Sequence, residues 1–150
     1  MSIKLPKQAF VALAALGWAD GTMKKIESAA LVRAAKECGV EGDDLAEIER
    51  STKTRVELAG FDPAGMEPWE RIITYALASW LAALDGVVSS DESAALAQLG
   101  DRLALEAGTR KRAASAAFDI SVLPDGGRPD KYDFVKLVAR LKEKLPQRVK

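Results

Sequence analysis

Apolar residues recur three and four positions apart through most of this chain, and alternating stretches are nearly absent, so helices are the expected element. The first expected helix covers about residues 6–19, with Phe10, Leu13, Leu16 and Gly17 on one side, and Asp20-Gly21 stops it. A second runs from Lys25 to Cys38 with Ile26, Ala30, Leu31 and Ala34 inward, and Gly39 follows as a left-handed terminator. A third starts near Asp43 or Asp44 and continues through Leu45, Ile48 and Val56 to about Leu58. Residues 60–68, GFDPAGMEP, hold two prolines and two glycines and read as a connection.

Beyond that connection the plan repeats. Pro68 suits a first helical turn, and its helix runs through Trp69, Ile72, Ile73, Leu77 and Trp80 to Leu84, where Asp85-Gly86 stops it. Ser89 and Glu92 have the S-x-x-E spacing of a capping box, opening a helix that lasts to about Leu103. Residues 107–119 are the counterpart of the third helix, and PDGGRP (124–129) is a turn-rich break. A closing helix covers about residues 130–145, with Phe134, Leu137, Val138 and Leu141 at helical spacing.

At one place the repetition is literal. Residues 16–31 read LGWADGTMKKIESAAL and residues 81–96 read LAALDGVVSSDESAAL, identical at eight of sixteen positions at an offset of 65. The expectation is an all-α, seven-helix bundle built from an internal duplication. The two helical triplets span about 6–59 and 68–122 of a single domain covering 1–150, and the closing helix follows them. Ala12, Ala15, Ala29, Ala30, Ala94 and Ala95 predict helix axes that approach closely.

Composition narrows the function classes. The apolar share of 48% over 150 residues suffices for one core. Twenty-two basic side chains balance 22 acidic ones, so no overall field points to nucleic acid. The acidic run between Glu41 and Glu49 and the basic run after Lys136 read as solvated helix faces. Cys38 is the only cysteine, which rules out an internal disulfide and a cysteine-based zinc site. Its counterpart is Leu103, so Cys38 reads as a core residue. Histidine is absent, which removes serine and cysteine triads and imidazole metal sites together. With no nucleophile–base constellation and no phosphate-cradling glycine loop, an enzyme is not expected. The first residues, MSIKLPKQAF, lack the apolar region of a leader, and no stretch is long enough to cross a bilayer. The expectation is a cytoplasmic protein without direct membrane insertion.

Chemistry concentrates at the two Asp-Gly-x5-Glu corners, Asp20 to Glu27 and Asp85 to Glu92. As helix fittings, the glycine terminates one helix and the glutamate caps the next through free backbone N–H groups. That account does not explain the aspartates. At a helix C-terminus an aspartate meets the negative end of the dipole, costing about 0.3–1 kcal/mol. Two carboxylates converging across a short loop form instead a hard-oxygen site suited to Ca²⁺, Mg²⁺ or Mn²⁺. An EF-hand is not expected, because Leu16, Trp18, Leu81 and Ala83 stand where the first half of its loop needs oxygen ligands.

ALGWADGTMKKIESAAL (15–31) and WLAALDGVVSSDESAALAQLG (80–100), with the seven-helix layout covering nearly the whole chain, resemble the TerB family of tellurite-resistance operons. That family is related to the N-terminal domain of the DnaJ-like membrane co-chaperone. The resemblance implies a non-enzymatic, metal-binding module of bacterial stress-response systems, acting through protein partners that include membrane-associated ones. Carried over by motif, the metal positions are Asp20, Glu27, Asp85 and Glu92. Lys24 and Lys25 depart from the pattern in the first loop, whereas Asp91 adds a carboxylate to the second. The competing reading is a purely structural protein–protein interaction domain with no metal site.

Overall fold

A computed structural model describes residues 5–19, 21, 23–58, 61–83, 89–123 and 134–144. Seven α-helices lie among them: α1 (Lys7–Gly17), α2 (Lys25–Glu37), α3 (Gly42–Ser51), α4 (Pro68–Ala82), α5 (Ser90–Arg102), α6 (Ala107–Ser121) and α7 (Phe134–Lys144). No strand occurs among the described residues. The architecture is an all-helical bundle. No described helix is long and apolar enough to cross a membrane.

The bundle is organised around α1 and α4. These two pack on each other; α2, α3 and α5 also pack on α1, and α2, α5 and α6 on α4. Helix α1 buries Ala9, Phe10, every residue from Ala12 to Leu16, and Gly17. Helix α4 buries Ile72 through Ala78 and then Trp80, Leu81 and Ala82. A helix covered on so many sides needs small residues on several of them, which is what Ala9, Ala12, Ala14, Ala76 and Ala78 provide.

Two helix ends match in detail. After α2, Val40 N–H donates to Ala35 C=O at 3.0 Å and Gly39 N–H to Lys36 C=O at 3.1 Å. After α5, Leu105 N–H donates to Gly100 C=O at 3.1 Å and Ala104 N–H to Asp101 C=O at 3.0 Å. Both are Schellman motifs, in which the residue after the cap is left-handed. Gly39 takes φ 81° without strain, whereas Ala104 takes φ 58° with a side chain attached. The offset of 65 that aligns the two sequence copies also relates these ends and the starts of α2 and α5.

Three expectations need correcting. Helix α3 ends at Ser51 rather than near Leu58. There Ser51 Oγ donates to Ile48 C=O at 2.5 Å and Thr52 Oγ1 to Glu49 C=O at 2.7 Å, competing with the next turn's amides. Trp18 Nε1 takes the Ser51 carbonyl at 2.8 Å, so the chain turns away and Leu58 reaches the core from outside the helix. Ile26 was expected inward and is 40% exposed. The inward stripe of α2 is Glu27, Ala30, Leu31, Ala34 and Ala35, one residue round the helix from Ile26. Finally, Ala29 and Ala94 lie exposed rather than in helix–helix contact. The expected helix ends at Leu84, Asp130 and Leu145 lie outside the described residues.

Helix α7 docks on α6 through buried Leu137, Val138 and Leu141. An ion cluster reinforces the contact: Arg140 Nε donates to Asp119 Oδ2 at 2.8 Å and Lys144 Nζ lies 3.4 Å from the same oxygen. The Arg140 hydrogen bond, with help from Lys144, holds the Asp119 carboxyl below the usual carboxylate range.

Two predictions follow from these contacts. A Cβ on Gly39 would meet nothing within 4 Å, so substitution there isolates the backbone term. Gly39→Ala is expected to lower the unfolding free energy in urea by about 1 kcal/mol, and Ala104→Gly to raise it by about 0.5–1 kcal/mol. For Asp119, the folded pKa lies below the unfolded one, so its contribution is full above about pH 4 and fades as pH falls through the folded value. The protection of the α7 amides, taken relative to the intrinsic exchange rate at each pH, should therefore fall on acidification into that range, and Asp119→Asn should remove this acid-dependent component. An acid response unchanged in Asp119→Asn would place the linkage elsewhere.

Candidate functional site

The two corners share one glutamate bond. Glu27 and Glu92 each occupy the third position of a helix, α2 and α5. Lys24 N–H donates to Glu27 Oε1 at 3.1 Å, and Ser89 N–H donates to Glu92 Oε1 at 3.1 Å. In the second corner Ser89 Oγ accepts the Glu92 N–H at 3.1 Å, which completes a capping box. Lysine has no acceptor to do the same, so at Lys24 the glutamate's half of the box stands without the other half.

Burial distinguishes these glutamates from ordinary caps. Glu27 is 4% exposed and Glu92 3% exposed. Both lie on the apolar stripe of their helix: Glu27 continues into Ala30, Leu31 and Ala34, and Glu92 into Leu96, Leu99 and Leu103. Glu70 makes the same bond at the start of α4, where Glu67 N–H donates to its Oε1 at 2.8 Å. Glu70 is only half-buried there, and no Asp-Gly corner precedes it. The cap therefore needs a glutamate but does not need it buried.

Of the four expected metal positions, Glu27 and Glu92 are placed as described, and Asp20 and Asp85 lie outside the described residues. Gly21 takes φ 95°, the left-handed conformation expected of the corner glycine, and its N–H donates to Trp18 C=O at 2.8 Å. A Cβ on Gly17 would fall within 2.9 Å of the Met23 thioether, so the glycine admits Met23 against the end of α1. Among the described residues, no three histidine, cysteine, aspartate or glutamate side chains gather in one group. Each corner thus offers one fixed carboxylate, and its aspartate is the second that its sequence supplies.

Asp91 does not join Glu92. It is exposed and lines a cavity of about 250 Å³ between α1 and α5, shared with Ala15, Ala19, Glu57 and Gln98. The end of α1, which leads into the first corner, therefore lies beside the start of α5, which leads out of the second. Nothing in the spacing of the motifs shows this contact or the part played by Glu57. Cys38 is buried, and its thiol is pushed up to about 12 by burial and, secondarily, by the Glu37 charge. Such a thiol is protonated at neutral pH and a poor nucleophile.

Compared with protein-family models, curated proteins and solved structures, the chain matches none.

Proposed function

We propose that this chain is a non-enzymatic binding module of the TerB-like kind, working in a bacterial tellurite-resistance or stress-response system. In this reading its two Asp-Gly-x5-Glu corners take a divalent cation, and the module acts through protein partners. The observation that carries the reading is the burial of Glu27 and Glu92 on apolar helix stripes. A carboxylate withdrawn from water is costly unless an opposite charge or several donors meet it. A carboxylate has about four acceptor sites, so a capping N–H and a coordinated cation can share it. In this reading a cation shared with Asp20 or Asp85 is the opposite charge, and hard oxygen donors suit Ca²⁺, Mg²⁺ or Mn²⁺.

Glu70 favours the second reading, a structural interaction domain without a metal. It shows the same helix-capping bond serving a helix start with no corner at all. The two readings part on charge, because glutamine keeps the capping geometry and loses the charge.

Calorimetric titration of the whole chain with Ca²⁺, Mg²⁺ and Mn²⁺ tests the proposal. Saturable heat with at least one ion is expected, reduced about tenfold or more in affinity by Asp85→Asn with Glu92→Gln. No heat with any of the three, or a doubly substituted protein that titrates like the original, would leave the structural reading standing alone.

A further inference from the structure

The cavity between α1 and α5 belongs to neither glutamate, and its walls come from three separate parts of the chain. Ala15 of α1 and Ala19 just beyond it form one wall, Asp91, Ala94, Ala95 and Gln98 the α5 wall, and Arg55, Glu57 and Leu58 close the third side. The opening depends on small residues. Sixty-five positions on from Ala15 the chain has Trp80, buried in α4, and 65 on from Ala19 it has Leu84. At the crossing with α5, α1 carries the Ala15 methyl group where the position aligned with it in the sequence carries the Trp80 indole. A slot about 250 Å³ in volume is left.

We infer that this slot receives a single lysine or arginine side chain from a protein partner. Its volume falls below the roughly 300–1,000 Å³ usual for a small-molecule pocket, and suits one long side chain. The alanine methyls and Leu58 form an apolar floor for an aliphatic stem, the part of lysine and arginine that packs on apolar surface while the head stays polar. Charge selects a cation. Arg55 and Glu57 already neutralise each other at 2.8 Å, so the Asp91 carboxylate is the excess charge of the lining, with the Gln98 amide beside it as a further acceptor. The inference rests on the partner-binding half of the proposed function and not on the cation.

Nuclear magnetic resonance titration of the labelled full chain with Nα-acetyl-lysine methylamide and Nα-acetyl-arginine methylamide tests it. Nα-acetyl-norleucine methylamide serves as the uncharged control. Saturable shifts centred on Ala15, Ala19, Leu58, Ala94 and Ala95 are expected with one or both cationic probes. Asp91→Asn should weaken binding by about three- to tenfold, because it removes an exposed charge while keeping its shape. Ala94→Leu, at an exposed helical position that accepts leucine, should abolish the response by filling the slot while leaving the fold intact. The inference is overturned if neither cationic probe produces saturable shifts, if norleucine matches them, or if Asp91→Asn binds unchanged. Repeating the titration with a chelator separates the two proposals. Binding that survives supports the slot whatever the corners do, whereas binding lost with the ion overturns the slot and assigns the effect to the corners.

Discussion

Everything else in the molecule depends on the close contact of α1 with α4. Each is buried over most of its surface, so neither has a stable position without the other helices around it. Alanine makes the contact possible and also limits it, since a methyl group buries little apolar area of its own. The large side chains that fill the remaining volume, Phe10, Leu13, Leu16, Leu77 and Leu81, sit on these same two helices. Surrounding helices add Leu31, Ile48, Leu99 and Leu103. Helix α7 is attached to α6 on the outside, where ion pairs supplement three buried aliphatic residues.

The corners follow from that packing. Helices α2 and α5 must present an inward face from their first turn, because their starts lie next to the ends of α1 and α4. The third helical position falls on that face, and it is also the position from which a glutamate reaches back to the cap. Capping and burial therefore coincide on Glu27 and Glu92, and a charged group is drawn into a place where apolar packing would otherwise be expected. Two consequences are open to it: a fully satisfied hydrogen-bonded cap, or partnership with a cation. The proposed function takes the second, and Glu70 makes the same capping bond at a helix start that is only half-buried.

Much of the fold was legible because its punctuation is chemical. Gly39, Pro68 and Ser89 each mark a helix boundary for a stated reason, and each lies within a residue or two of the observed end. The end of α3 was not legible, because Val56 and Leu58 keep an apolar rhythm after Ser51 and Thr52 have already turned the chain. Ile26 was misplaced for a related reason. Hydrophobicity alone assigns it inward, yet the stripe begins one residue later on a glutamate. The two glutamates themselves were legible from the repeated motif. The slot beside Asp91 was not, because its walls are brought together by tertiary packing, although the contrast of Ala15 with Trp80 is visible once the two halves are aligned.

Native-state hydrogen exchange tests most directly whether the α1–α4 contact is the constraint on which the structure depends. The amides of α1 and α4 should exchange last and with the same free energy, equal to that of global unfolding, while those of α7 exchange first. A different result, with α1 opening at a markedly lower free energy than α4, would mean that the two halves unfold separately and that their contact is not what holds the bundle together.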